Sequence, residues 1–248
     1  SEGIAMPVDG SIEWRKKAGK IANLAAAIEQ DPLPGSGVAI GHTRWATHGA
    51  PTDANSHPHV AGRVAIVHNG IIENHDALRA ELDGAEFSSE TDSEVAAHLL
   101  GRELDGGAGL VDAMRAVSTK LEGAFTLVAI DAQDPQRIVA ARRNSPLVVG
   151  KGDGEYFVAS DVAAFIEYTR DAVELGQDQI VEITPDGVSV TSFDGGPAQT
   201  KDFHVDWDLE AAQKQGFDWY MRKEIFEQPK AVADTLLGRL NERGELVR

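Results

Sequence analysis

Six short β-like runs separated by turn residues follow one another between residues 123 and 193, and they constrain the fold more than any other feature. The runs read GAFTLVAID, QRIVAARR, PLVVG, EYFVAS, QIVEITPDG and VSVTSF. Such a density of strands is typical of a largely antiparallel sheet system. Helical periodicity is found upstream, in KKAGKIANLAAAIEQ, ENHDALRAEL, SETDSEVAAHLLGREL and VDAMRAVSTKL. We therefore predict an α+β fold in which two antiparallel sheets are layered between helices.

The charge balance excludes several classes of partner. Forty Asp and Glu against 23 Lys and Arg give a formal net charge of -17, which repels phosphate backbones and anionic lipid. We therefore expect no nucleic-acid partner and no membrane partner. The sequence shows neither a long apolar span nor the basic and apolar regions of a signal peptide, so we expect a soluble, cytoplasmic protein. It contains no cysteine, which excludes disulfides, thiolate metal sites and a cysteine nucleophile within the chain.

Histidines are concentrated in one part of the sequence. Six of the eight lie between residues 42 and 75: His42, His48, His57, His59, His68 and His75. The HPH run at 57–59 is similar to the His-x-His arms of some zinc hydrolases, which is one alternative. No aspartate follows at the spacing of those hydrolases, and the other histidines are spread over several elements. We expect no metal, and histidines that are hydrogen-bonded in a polar core.

The segment GHTRWATHG, residues 41–49, follows the predicted strand GVAI. It is either an ordinary turn or a site for a small polar ligand. Arg44 offers a planar fork for a carboxylate, and neighbouring hydroxyl and imidazole groups add short hydrogen bonds. An amino-acid ligand also needs an anion for its ammonium group, which Asp92 could supply. Thr91 and Glu94 are spaced as a capping box, so Asp92 falls in the first turn of a helix.

The segment HNGIIEN, residues 68–74, ends another apolar run. From its pattern, Asn69–Gly70 is a turn that ends a strand. Alternatively, an asparagine amide beside a glycine N–H can form an oxyanion hole, because two fixed donors then converge on the oxygen that becomes negative in acyl transfer.

Taken in order, GHTRWATHG, NSHPH, VHNGIIENH and SETDSEV resemble the glutaminase domain of the glutamine–fructose-6-phosphate aminotransferases, or glucosamine-6-phosphate synthases. The resemblance continues through LEGAFTLV, ARRNSPLVVG, ASDVAAFI and ELGQDQIVEI to YMRKEIFEQP. KEIFEQP is similar to the segment that joins the glutaminase domain to the sugar-isomerase half. The resemblance implies an N-terminal-nucleophile hydrolase fold, a four-layer α/β/β/α sandwich, without a cofactor.

The resemblance also implies how glutamine is held. Arg44 would bind the α-carboxylate of glutamine, helped by Thr47 and His48. Asp92 would bind the α-ammonium group. These residues would make up the substrate-binding site together with two others, Trp45 and Gly70.

Further roles follow from the same resemblance. Asn69 and Gly70 would form the oxyanion hole. Trp45 would lie where released ammonia is gated towards the sugar site. His57 would lie close to the sugar-side domain.

One departure from the family pattern concerns the nucleophile. The family uses an N-terminal cysteine whose free α-amino group acts as the general base. The opening SEGIAM instead resembles the family's YDS-x-GIA stretch, a few tens of residues downstream. Ser1 is then an internal residue, the alternative being an N-terminal serine nucleophile. We expect a truncated, inactive fragment that lacks an inner strand and the first helix, and a sheet edge that is left unpaired.

The resemblance divides the chain at residue 205. Residues 1–205 would be the glutaminase domain, and 206–248 a helical linker towards sugar-isomerase domains that the sequence does not contain. The expected partners are glutamine, those domains, and fructose 6-phosphate bound to them, in a homodimer of the full-length enzyme. The alternative function is a non-catalytic glutamine-binding module.

Overall fold

The computed structural model describes residues 1–44, 49–206 and 217–236. Ser1–His204 form one compact unit, and Val205–Arg248 belong to a second. Within the described ranges, no helix has the length and apolar character needed to cross a membrane.

The first unit is built from short strands and α-helices. The strands are β1 (Glu2–Val8), β2 (Ser11–Lys17), β3 (Ile40–Thr43), β4 (His59–Ala61), β5 (Val64–Ile72), β6 (Gly123–Asp131), β7 (Asp134–Arg143), β8 (Val148–Lys151), β9 (Tyr156–Ala159), β10 (Asp171–Glu174), β11 (Gln179–Thr184), β12 (Gly187–Ser192) and β13 (Lys201–His204). The helices are α1 (Ile21–Gln30), α2 (His75–Ala80), α3 (Asp92–Asp105) and α4 (Leu110–Lys120).

A six-stranded antiparallel sheet in the order β12-β11-β7-β6-β5-β4 forms the centre of the first unit. Its apolar side chains alternate between two cores. Val64 and Ile66 of β5 pack with α2, α3 and α4, while Ala65 and Val67 pack on the opposite face. Burying one Val or Ile side chain contributes roughly 1.5–3 kcal/mol, so a slip of one residue in register would be strongly unfavourable.

The second face of the central sheet is covered by two smaller antiparallel sheets, ordered β2-β1-β3 and β13-β10-β8-β9. Ala5 and Ile40 of the first and Val149 and Val173 of the second share one core with the central sheet. Helix α1 packs on β2 and forms the outermost layer. The predicted α+β fold, in which two sheet layers lie between helices, is confirmed. The second layer consists of two small sheets, and β3 and β9 are outer strands of these sheets.

Strands β1 and β2 form a hairpin that is not predicted from the sequence. They meet at Asp9–Gly10, where both residues have positive φ, +49° and +80°. Asp-Gly between runs with alternating apolar residues is a strong hairpin signal, because both central residues of this turn type need positive φ. That signal is present in MPVDGSIEW.

The prediction that a strand ends at Asn69–Gly70 is wrong. Strand β5 continues to Ile72, with Asn69 opposite Thr126 and Gly70 opposite Phe125. Gly70 has φ +127°, and a Cβ at this position would overlap the Ala124 carbonyl oxygen. The missing side chain is therefore what lets the two strands stay paired at this point.

In the second unit, helix α5 spans Tyr220–Leu236, inside the predicted helical stretch. The rings of Phe217 and Phe226 stack with centroids 5.6 Å apart, and Lys223 pairs with Glu227 at 3.4 Å. The remaining parts of the predicted helical linker, residues 207–216 and 237–248, lie outside the described ranges.

Candidate functional site

A cavity of about 910 Å³ opens in the first unit between the outer strands β3 and β9. Strand β5 and the first turn of α3 also line it. The predicted site residues that line this cavity are Arg44, His57, Asn69, Gly70 and Asp92. Residues as far apart in the sequence as Arg44 and Asp92 are thus brought to one place. Three others, Trp45, Thr47 and His48, lie outside the described residues.

Arg44 directly follows β3, and its backbone N–H donates to the Ser1 carbonyl oxygen at 2.7 Å. Its guanidinium donates to the carbonyl oxygens of Gly49 at 3.4 Å and Ala50 at 3.5 Å. Partial burial lowers the pKa of Arg44, and the nearby Asp92 carboxylate opposes that change. The Arg44 guanidinium and the Asp92 carboxylate therefore attract each other electrostatically within the cavity.

Asp92 begins helix α3 and is only 4% exposed. Its Oδ2 accepts a hydrogen bond from the Ile72 backbone N–H at 2.8 Å, and its Oδ1 accepts one from the Ser93 hydroxyl at 3.4 Å. Two donors on different elements therefore fix the carboxylate. The helix N-terminus adds a favourable field for a negative charge.

The predicted capping box is present in a modified form. Thr91 is the N-cap and accepts from the Glu94 N–H at 3.4 Å. The Glu94 carboxylate accepts from the N–H and hydroxyl groups of Ser88 and Ser89 instead of from Thr91. Burial alone would raise the pKa of Glu94, but hydrogen bonds from His98, Ser89 and Ser88 lower it. Glu94 is thus an anion that holds residues 88–91 against the start of α3.

Asn69 is exposed and lines the cavity next to Gly70. Its side-chain N–H donates to the Ser160 hydroxyl at 3.4 Å, and its backbone carbonyl oxygen accepts from the Ser145 hydroxyl at 3.4 Å. The side-chain amide is thus held by a residue 91 positions away. That contact is not predicted from the local sequence pattern.

Four of the clustered histidines lie close together, and three of them, His42, His57 and His68, line the cavity. The His57 ring lies 4.3 Å from the His42 ring, 4.8 Å from the His59 ring and 6.4 Å from the His68 ring, between centroids. His59 Nε2 is 3.0 Å from the Thr91 hydroxyl oxygen. The expectation of hydrogen-bonded core histidines therefore holds for His59.

His68 is also hydrogen-bonded, since its Nδ1 lies 2.8 Å from the Ser93 hydroxyl oxygen. His57 differs. It is 4% exposed, and neither of its ring nitrogens has a hydrogen-bond partner within the described part of the chain. The sequence pattern does not single out Ser93, although the residue adjoins Asp92 and links that carboxylate to His68.

The buried histidines are held in the neutral state. Burial first, then the neighbouring His68 and Arg44, lower the pKa of His42 to about 4. Burial and nearby cations lower the pKa of His59 to about 3, and burial with the surrounding rings lowers the pKa of His57 well below its ordinary value. Among the described residues, no group of three or more His, Cys, Asp or Glu side chains is arranged to hold a metal ion.

Comparison with known protein families is consistent with this geometry. Residues 42–167, about half of the chain, match the family model described as a glutamine amidotransferase domain. The chain belongs to the glutamine amidotransferase family. The match includes the cavity residues His42 and Thr43 of β3 and those of β5 and α3.

Two curated relatives of this glutamine amidotransferase are glutamine–fructose-6-phosphate aminotransferases (isomerizing). The Streptomyces coelicolor protein is 62% identical over 250 residues, which are 99% of this chain and 41% of the relative. The Mycobacterium tuberculosis protein is 54% identical over 253 residues, which are 96% of this chain and 40% of the relative. The chain therefore spans about two fifths of the length of these relatives.

Two solved structures share the fold of this glutamine amidotransferase. The B. subtilis glutamine phosphoribosylpyrophosphate amidotransferase, complexed with ADP and GMP, is 28% identical with a TM-score of 0.64, over 77% of this chain and 42% of that one. A class-II glutamine aminotransferase domain protein from Silicibacter pomeroyi is 23% identical with a TM-score of 0.50, over 79% and 92%, and shows the fold alone. The N-terminal-nucleophile hydrolase fold expected from the sequence is thereby confirmed.

Proposed function

We propose that this chain binds glutamine as the glutaminase part of a glutamine–fructose-6-phosphate aminotransferase. The observation that carries the proposal is one cavity, in a glutamine amidotransferase, lined by a cation, a fixed carboxylate and an Asn–Gly pair. These are the groups needed for the two charges and the amide carbonyl of glutamine.

Arg44 and Asp92 would hold the charged head of glutamine. The guanidinium can pair with the α-carboxylate through two parallel N–H donors, which gives direction as well as affinity. The Asp92 carboxylate, kept in place by the Ile72 N–H, would accept from the α-ammonium group. The contributions of Trp45, Thr47 and His48 stay predictions.

Asn69 and Gly70 would stabilise the oxyanion formed when the side-chain amide of glutamine is attacked. An asparagine N–H and a backbone N–H next to each other on a paired strand are pre-oriented donors, and removing one such donor typically costs about 100- to 1000-fold in rate. In support, the Asn69 amide is steadied by Ser160 and faces the cavity.

The nucleophile for this hydrolysis is not supplied by a cysteine of the chain, which has none. Ser1 receives little support as a substitute, because its side chain is only 1% exposed. We infer that a thiol would reach the cavity on a segment outside these 248 residues. The cavity could admit an extended segment, since it lies between β3 and β9, each of which is the outer strand of its sheet among the residues that the structure describes.

In the whole enzyme, the ammonia released from glutamine would convert fructose 6-phosphate to glucosamine 6-phosphate. The names of the relatives support that substrate. The division into a glutaminase domain, 1–205, and a linker, 206–248, belongs to the same proposal. A position of His57 near a sugar-side domain, a homodimer and a cytoplasmic location stay predictions.

Titration of the chain with L-glutamine tests the proposal. We expect saturable binding by calorimetry and no release of ammonia, because the thiol is missing. Arg44→Ala should weaken binding about 10- to 100-fold, since the α-carboxylate loses its charge-assisted partner. Arg102→Ala, which removes a guanidinium that contacts the Glu81 carbonyl oxygen on another surface, is the control. Absence of glutamine binding to the unmodified chain would refute the proposal.

Asn69→Ala separates the oxyanion role from substrate binding. An oxyanion donor acts mainly in the transition state, so the affinity for glutamine should change by no more than about threefold. The same titration measures this. A loss as large as that of Arg44→Ala would show that Asn69 is a ground-state ligand.

A further inference from the structure

We propose that Asn55 is a positioning residue that fixes the spacing between Arg44 and Asp92. The inference rests on the proposed function, because these two residues would hold the opposite ends of the glutamine head group. Asn55 itself does not line the cavity. It would therefore act through the two segments that carry the binding groups.

The side-chain amide of Asn55 joins three backbone or side-chain groups. Its Nδ2 donates to the Ala50 carbonyl oxygen at 3.0 Å and to Glu90 Oε2 at 3.2 Å. Its Oδ1 accepts from the Glu90 backbone N–H at 3.0 Å. The residue is 3% exposed, so water cannot readily replace these bonds.

On one side, this amide supports the segment that receives the Arg44 guanidinium. The Ala50 carbonyl oxygen accepts from both Asn55 and Arg44, and the adjacent Gly49 carbonyl oxygen also accepts from Arg44. Gly49 has φ +74°, and a Cβ there would lie only 2.7 Å from Asn55 Nδ2. The guanidinium is thus held by carbonyl groups whose own position depends on Asn55.

On the other side, the amide fixes the approach to helix α3. Glu90 is bonded to Asn55 through both its backbone N–H and its carboxylate, and it precedes Asp92 by two residues. Thr91 between them is the N-cap of the helix. Residues 90–92 are therefore bonded to Asn55 at Glu90 and capped at Thr91. Because this segment is so short, the position of Asn55 determines where Asp92 starts the helix.

The loop that carries Asn55 is itself anchored. The Lys16 ammonium group on β2 donates to the carbonyl oxygens of Ala54 at 3.1 Å, Ser56 at 3.0 Å and Pro58 at 3.3 Å. Three bonds from one side chain hold the backbone on both sides of Asn55. The loop is therefore fixed in place, and so is the Asn55 amide that it carries.

Asn55→Ala tests the inference, with Asn74→Ala as a matched control. The Asn74 side-chain amide also makes a pair of hydrogen bonds, and it does not line the cavity. It donates to the Lys120 carbonyl oxygen at 2.9 Å and accepts from the Glu122 N–H at 3.0 Å. Both variants should lower the Tm. Only Asn55→Ala should raise the Kd for L-glutamine, by about tenfold or more, because only the Asn55 amide controls the two binding groups.

A second readout does not depend on glutamine. In spectra of the ligand-free ¹⁵N-labelled chain, Asn55→Ala should shift the Arg44 Nε–H and Asp92 N–H resonances, and Asn74→Ala should leave both in place. If the unmodified chain does not bind glutamine, the proposed function fails, and the resonances still decide whether Asn55 positions these groups. The inference would be overturned if Asn55→Ala had the same Kd for glutamine as Asn74→Ala and left the Arg44 and Asp92 resonances unshifted.

Discussion

Lowering the pH from 7.5 to 5 is expected to reduce the free energy of unfolding by about 2 kcal/mol for each of His42 and His59, roughly 4 kcal/mol for the two, with a further loss from His57. The pKa values of all three are lowered in the folded chain, to about 4 for His42 and about 3 for His59. As the pH falls below the ordinary histidine pKa, the unfolded chain takes up protons that the folded chain excludes. The stabilisation is therefore complete above about pH 6.5 and is lost as the pH falls below that value.

Urea unfolding at half-unit pH steps measures this loss. Stopping at pH 5 keeps the contribution of carboxylates such as Glu94 small, because their stabilisation is lost only at lower pH. His57→Asn should lower the number of protons taken up on unfolding by up to one, whatever it does to stability at pH 7.5. A free energy of unfolding that is constant between pH 7.5 and 5 would show that these histidines are not held neutral by the fold.

The layered fold could be predicted because its signals are local. The alternating Val64, Ala65, Ile66 and Val67 face two cores, and such alternation is visible in the sequence. The start of helix α3 at Asp92 is equally predictable from the sequence, since the Thr91 cap lies within one turn of it. Local pattern determines the elements, but it does not specify which of them meet.

The cavity depends on contacts that no local pattern contains. Asn69 is held by Ser160, and Asp92 is held by the Ile72 N–H, over separations of 91 and 20 residues. The resemblance to a known family predicts Arg44, Asn69 and Asp92 as site residues, whereas it gives no role to Asn55. Asn55 is recognised only when its bonds to Ala50 and Glu90 are seen together.

Strand β5 shows how a local rule can be overridden. Asn-Gly after an apolar run usually makes a turn, because both residues tolerate positive φ. In this chain Asn69 and Gly70 stay in the strand, opposite β6, and only Gly70 takes a positive φ. Tertiary pairing along the whole of β6 outweighs the turn preference of two residues.

Gly70→Ala is consequently expected to lower the free energy of unfolding by about 2–6 kcal/mol. A φ of +127° costs an alanine roughly 1–3 kcal/mol, and the overlap of its Cβ with the Ala124 carbonyl oxygen adds a similar amount, because the strand pair must separate locally. Urea unfolding at pH 7.5 measures the change.

Gly187→Ala is the matched control for that measurement. Gly187 has φ +147°, but a Cβ there would have open space around it, so only the backbone strain of about 1–3 kcal/mol applies. Equal losses in the two variants would show that the overlap with Ala124 is not what requires a glycine at position 70. The comparison also bears on function. If Gly70→Ala loosens the β5–β6 pair, a change in glutamine binding by that variant does not by itself assign a role to the Gly70 N–H, and Asn69→Ala, which alters only a side chain, is the cleaner test of this part of the site.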